Sequence, residues 1–198
     1  PYGGTSSGLA NPYWIQNRQL RENKKTRYMI NASLKYQLFD WLDVVGRVKI
    51  DNYDNRSTYK AYASTGTLVS GDRGTYSDTS TQSKNTYADA IATLNKSFND
   101  WSVNVNLGVS LSDSRYEMIG YEGGLKLINF FAVHNIDFNK AWKAKQSGWH
   151  DQTRAIFANA EIGWKSMIYL TATGRNDWDS RLAFSDYKSF FYPSIGLS

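Results

Sequence analysis

Two histidines, His134 and His150, and a few acids are the side chains with which this chain could do bond-making chemistry. Asp137 and Asp151 stand near them, but the spacing matches no metal-ligand pattern. Cysteine is absent, which removes disulfides, thiol nucleophiles and thiolate metal sites. Asp177 and Asp179 are loop acids two positions apart. Glycoside hydrolysis needs two carboxyls held about 5 to 10 Å apart, and acids so close in sequence fit side-chain turns better. The glycines of GYEGG (120–124) lack the strand-then-helix setting of a phosphate loop. The sequence therefore indicates no catalytic residue, no metal site, no cofactor and no enzyme.

Recognition chemistry is better represented. The chain has 7 Trp, 14 Tyr and 9 Phe, 15% of its residues. The stretch 113–152 carries Tyr121, Phe130, Phe131, Trp142 and Trp149 among Asn129, Asn135, Lys143 and Gln146. Aromatic faces stack on sugar rings, and amides satisfy hydroxyls, so Trp149, Trp142, Tyr121, Asn129, Phe130 and Phe131 are candidate contacts to a ligand or partner. Packing of loop on loop, or on a lid protein, is the competing role. The net charge is +5, and the single tight basic group, RENKKTR (21–27), reads as a solvated loop; nothing indicates nucleic acid.

The elements that hold these residues follow from a period of two. In WSVNVNLGVSLS (101–112), Val103, Val105, Leu107, Val109 and Leu111 alternate with Asn, Gly and Ser. Tyr28 to Leu38, Leu42 to Ile50, Ala88 to Leu94, Ile156 to Trp164 and Ile168 to Ala172 alternate in the same way. Such patterning predicts strands with two chemically different faces. No segment has sustained helical periodicity. About six complete strands and the start of another are expected, each of about 10 to 12 residues.

Short and long connections alternate. The tight ones fall at 39–41, 98–100 and 165–166; the long ones are read at about 1–26, 54–86, 113–152 and 177–189. That places all long loops at one end of an up-and-down antiparallel sheet. Trp41, Trp101 and Trp164 stand at the tight turns with Phe39, Phe98 and Tyr169. Tyr28, Tyr53, Tyr87 and Tyr116 are expected to form a second belt at the other strand ends. Two aromatic belts flanking a Val/Leu/Ile/Ala band describe the outside of a transmembrane barrel. The polar set, which includes Arg47, Lys49, Asp51, Asn104, Asn106, Glu161 and Arg175, would then face a wet lumen. Mean hydropathy is −0.55 and no apolar run reaches transmembrane-helix length. Residues 1–14 show no signal-peptide pattern. A soluble all-β module, with the apolar faces as a dry core and a glycan-binding role, is the rival reading.

Four stretches carry a family resemblance. IYLTATGRNDWDSR (168–181) followed by FFYPSIGLS resembles a barrel segment of the SusC/RagA-like TonB-dependent outer-membrane transporters. NPYWIQNR (11–18), LKYQLFDWLDVVGRV (34–48) and LKLINFFAVHN (125–135) are similar to further motifs of that family. Asp179 stands where the family usually has Ser. The resemblance implies a 22-stranded transmembrane β-barrel with long extracellular loops, of which residues 1–198 would be a partial wall, without the plug. It implies a SusD-like lipoprotein partner, the TonB complex acting through the missing plug, surrounding outer-membrane lipid, and oligosaccharide or peptide cargo. The location implied is the outer membrane of Gram-negative bacteria. Arg175, Asn176, Asp177 and Trp178 form the family motif; a strand-end role, with Trp178 in the outer belt, is preferred over contact with plug or partner.

Overall fold

The computed structural model describes residues 12–63, 65 and 70–198. A short helix, α1 (Pro12–Arg18), leads into seven strands: β1 (Gln19–Phe39), β2 (Leu42–Ala61), β3 (Thr75–Phe98), β4 (Trp101–Gly124), β5 (Trp142–Trp164), β6 (Ile168–Asp179) and β7 (Phe190–Leu197). They form one sheet in chain order, β1-β2-β3-β4-β5-β6-β7. β5 pairs antiparallel with β6, and β6 with β7, with Ala158 opposite Gly174 and Ala172 opposite Ile195. The all-β up-and-down arrangement is thus present.

The strands are longer than the alternation marks. β3 and β4 each run 24 residues, and the stretches assigned to loops at 19–26, 54–61, 75–86, 113–124 and 142–152 are strand. The loop boundaries are corrected accordingly: the connections are 62–74, 125–141 and 180–189. In DSRYEMIGYEGG neither side is apolar, so period two disappears from the sequence while the backbone ladder continues. Asn11 of the NPYW motif lies outside the described residues.

The residues fall into two compact units. The first comprises residues up to Arg27, Tyr53–Ser83 and Tyr116–Trp149. It holds a small core of Ala61, Tyr76, Leu125 and Ile136. The second comprises Tyr28–Asn52, Lys84–Arg115 and His150–Ser198. Its one buried apolar side chain among the described residues is Ala155. Leu107 is 56% exposed and Val109 51%, so among the described residues no second layer covers the apolar face. A dry core, the basis of the soluble reading, is therefore missing from this unit.

The tight turns close as the sequence predicts. Lys165 and Ser166 have φ of 52° and 56°, and Met167 N–H donates to Trp164 O at 3.0 Å. Two successive left-handed residues are the primed hairpin geometry that matches strand twist.

Candidate functional site

In the second unit the chemistry divides between the two faces. One face carries Ala88, Ala90, Leu107, Val109, Leu111, Ile156 and Ala158 without cover. It is hollowed where Ala90, Ala158 and Gly174 replace bulk, leaving an apolar groove of about 600 Å³. Aromatics gather at the turn ends: Phe39 stacks on Trp41 at 5.2 Å, and Trp101 lies 6.4 Å from Trp164.

The other face is polar and internally bonded. Arg47 grips Asp89 with Nε–Oδ1 and Nη2–Oδ2 both 2.9 Å. Thr93 Oγ1 meets Asn106 Oδ1 at 2.8 Å, Asn106 donates to Asn104 at 2.9 Å, and Asn104 donates to Asn95. Gly108 lies beneath Phe157, whose ring would be 2.2 Å from any Cβ placed there. Phe157 in turn carries the Arg175 guanidinium 5.7 Å above its ring. The expected inward set is thus bonded to its neighbours on the polar side at Arg47, Asn104, Asn106 and Arg175.

Several belt assignments need correction. Tyr169 covers Gly163 beside Ser102, on the polar face. Tyr87 shares the parity of Asp89 and borders the same polar hollow as Arg47 and Lys49. Tyr53 holds the Lys25 ammonium at 4.8 Å, and Tyr116 stacks on Trp149 at 6.0 Å. Of the four expected second-belt tyrosines, Tyr28 shares the apolar parity; its hydroxyl accepts from Asn52 at 2.6 Å. Proximity to a strand end outweighed parity in that reading, and parity was right.

The first unit explains the LKLINFFAVHN motif. Leu125 N–H donates to Gly74 O at 3.0 Å, and Leu125 bridges to Ile136. Asn129, at φ 58°, accepts from Ala63 N–H at 2.9 Å, and its own N–H donates to Arg73 O at 3.1 Å. Phe131 packs edge-on to Tyr62 at 4.9 Å. Asn135, 4% exposed, donates to Leu127 O at 3.0 Å and Phe130 O at 2.7 Å and accepts from Leu127 N–H at 3.0 Å. The motif residues are the fasteners of the 125–141 loop, and the amides of Asn129 and Asn135 already serve the backbone. Gly74 is required: its φ is 98° and a Cβ would lie 2.8 Å from Ala61 O.

The other candidate contacts do not converge. Trp142 meets Phe138 edge-on at 4.9 Å, Phe130 meets His134 at 5.6 Å, and Tyr121 is half-buried on β4. Trp142 and Trp149 have opposite parity on β5 and so project from opposite faces. Both stay substantially exposed. Phe184 and Tyr187, in the 180–189 loop, are more exposed than either and carry no motif that would have singled them out.

Electrostatics tie down the strand ends. Arg56 holds Asp78 with Nε–Oδ1 3.0 Å and Nη2–Oδ2 2.6 Å, keeping that carboxyl below its ordinary range. Burial, then the Asp78 charge, pushes the Tyr76 phenol up. His150 and Gln152 hydrogen-bond Asp113 at 2.8 and 2.6 Å and lower its pKa. Asp179 is lowered to about 2, first by the Arg181 side chain and then by the Arg181 N–H. Arg175 Nε bonds Asp177 Oδ1 at 2.8 Å. The RNDW motif is thus a strand end whose acid pairs within the strand, and Trp178 lies opposite Arg154 on the apolar side. Among the described residues no group of three His, Asp or Glu could hold a metal ion.

A long-stranded antiparallel sheet with one uncovered apolar face and one bonded polar face has the architecture of a transmembrane β-barrel wall. No family model and no curated protein matches the sequence. Among solved structures, the whole chain aligns with the RagAB peptide transporter at a TM-score of 0.86 and 16% identity, covering 22% of that chain. It aligns equally with the RagAB peptide importer in its "open-open" state, at 0.86 and 14%, again covering 22% of that chain. For the siderophore receptor PiuA from Acinetobacter baumannii the TM-score is 0.51 at 12% identity, with 88% of this chain and 29% of that chain covered. The fold is shared with a segment of the RagAB transporter chain, about a fifth of its length.

Proposed function

We propose that the chain forms part of the wall of a 22-stranded TonB-dependent transporter in the outer membrane of a Gram-negative bacterium. The observation that carries this is the height of the uncovered apolar face. Trp164 and Arg154 are ten residues apart on β5, as are Ile168 and Trp178 on β6. At about 3.3 Å per residue and a tilt of about 40°, ten residues rise roughly 25 Å. That equals the apolar band of an outer-membrane barrel, about 25 Å. On β5 this face changes from apolar to charged at Arg154; on β6 it passes from Ala172 and Gly174 through Asn176 to Trp178. The barrel wall itself performs no bond chemistry. Its polar face lines the passage, and the loops at the far strand ends are extracellular.

Likeness to a peptide transporter supports imported cargo, peptide or oligosaccharide, delivered with a SusD-like surface lipoprotein and driven by the TonB complex. The exposed rings of Trp149, Trp142 and Phe130 and the half-buried Tyr121 are the proposed contacts to cargo or lid, together with Phe184 and Tyr187. The test is genetic. Deleting the parent gene should abolish uptake of one cargo class, and pull-down of the parent from solubilised outer membrane should bring a lipoprotein with it. Recovery of the parent in the soluble fraction would overturn the reading.

A further inference from the structure

We propose that Arg154, Trp178 and the apolar groove beside them form a binding site for a phosphate-bearing acyl lipid on the outer side of the wall. The site rests on the membrane reading above. The groove, about 620 Å³, is lined by Ala88, Ala90, Val109, Leu111 and Ile156, with Arg154 and Trp178 at its rim. Small alanines on β3 face larger aliphatics on β4, so the wall is concave here rather than flush.

Arg154 and Trp178 are direct cross-strand partners. Neither side chain has a hydrogen-bond or ion-pair partner among the described residues, and Trp178 is 44% exposed. The acid that also lines this groove is committed elsewhere: Asp89 accepts from Arg47. Other cations of this unit are engaged: Arg47 by Asp89, Arg175 by Asp177, Arg181 by Asp179, Lys35 by Asp43 and Lys165 by Asp100. Arg154 thus stands out as a guanidinium on the apolar side of the sheet.

Its height decides the occupant. Roughly 25 Å above the turn belt, a guanidinium meets the headgroup layer. There the abundant anion is phosphate, which the planar fork binds bidentately. The indole N–H adds a second donor at the level where Trp settles in bilayers. The groove directly below takes an acyl chain. A second protein copy would also need a carboxylate at the rim and a ridge to fill the groove. A lipid supplies charge and chain in one molecule.

The test uses the full-length parent in detergent, titrated with phosphatidic acid and with diacylglycerol of identical chains, bound lipid being counted by native mass spectrometry. The wild type should prefer phosphatidic acid roughly tenfold. Arg154→Gln should abolish that preference while leaving diacylglycerol binding unchanged; Arg154→Lys should keep part of it. Ala90→Phe, which fills the groove, should weaken both lipids. Equal binding of the two lipids by the wild type, an unaltered preference in Arg154→Gln, or self-association lost with Arg154→Gln would each overturn the proposal. A spin label on Val109→Cys separates the two levels of inference. Exposure to oxygen with exclusion of a nickel chelate places this face in hydrocarbon, so a failed phosphate preference then defeats the lipid site alone. Access by the chelate defeats the membrane reading and the site with it.

Discussion

Replacing Leu107 by arginine distinguishes hydrocarbon from water as the solvent of the uncovered face. Leu107 is 56% exposed and lines the apolar groove midway along the alternating run of β4. On a soluble sheet, a charged residue at so open a position would be neutral within about 0.5 kcal/mol. In a bilayer the same guanidinium sits near the midplane, where arginine costs about 2 to 4 kcal/mol. That is roughly a 30- to 700-fold loss in the folding equilibrium constant. The control is Glu161→Arg, on the polar face opposite Thr171, where a wet lumen hydrates the charge. The assay is urea unfolding of the parent barrel in lipid vesicles, followed by tryptophan fluorescence and by heat-modifiable gel mobility. We predict a large loss for Leu107→Arg and a change under about 1 kcal/mol for Glu161→Arg. Equal effects of the two substitutions would refute the facing assignment and the membrane argument built on it.

Three further outcomes are expected. Gly108→Ala should destabilise the barrel by about 1 to 3 kcal/mol through overpacking against Phe157, and Phe157→Leu in the same molecule should recover much of it; a neutral single variant in urea unfolding would remove the close approach. Asn135→Ala leaves Leu127 N–H, Leu127 O and Phe130 O without their amide partner, at about 0.5 to 1.5 kcal/mol for each hydrogen bond lost. Limited proteolysis should then cut within 125–141 at unchanged barrel stability, and unchanged resistance would contradict the fastening role. Asp179 has a depressed native pKa, about 2, so its contribution is fully present above the unfolded value near 3.9 and fades as pH falls through about 2. Arg181→Ala should return the Asp179 titration, followed by carbonyl NMR, toward the ordinary range; an unmoved titration would assign the shift to something else.

The two-faced strands were legible because alternate residues differ in chemistry, as Val103 to Leu111 against Ser102 to Ser112 show; in the proposed barrel wall a bilayer and a wet lumen impose those opposite demands. Strand length was not legible. Beyond residue 113 both sides of the ribbon are polar, and nothing in DSRYEMIGYEGG distinguishes a strand in water from a loop. The belt tyrosines illustrate a different limit. Tyr87 shares its parity with Asp89, so its facing was written in the sequence but was outweighed by its place near a strand end. The Asn135 fastener was illegible in principle, since its partners are backbone groups whose positions exist only after the loop folds. The family-like stretch LKLINFFAVHN marked the location without the role. The structure shows the role: Leu125, Asn129, Phe131 and Asn135 close the loop on itself and on Tyr62, Ala63, Arg73 and Gly74.

These bonding patterns bear on where selectivity arises. Along the polar face of the second unit, Arg47 is committed to Asp89, Arg175 to Asp177, and Asn104 and Asn106 to each other and to β3. A passing solute finds these side chains already satisfied, and displacing a partner from a half-buried charge-assisted pair costs more than a transient contact returns. The exposed aromatics are in the opposite condition: Phe184 is fully exposed, Tyr187 largely so, and Trp149, stacked on Tyr116, remains about half exposed. Ring faces in water gain from any stacked or apolar partner. In the proposed transporter, discrimination among cargoes therefore falls to the loops, and passage to the wall.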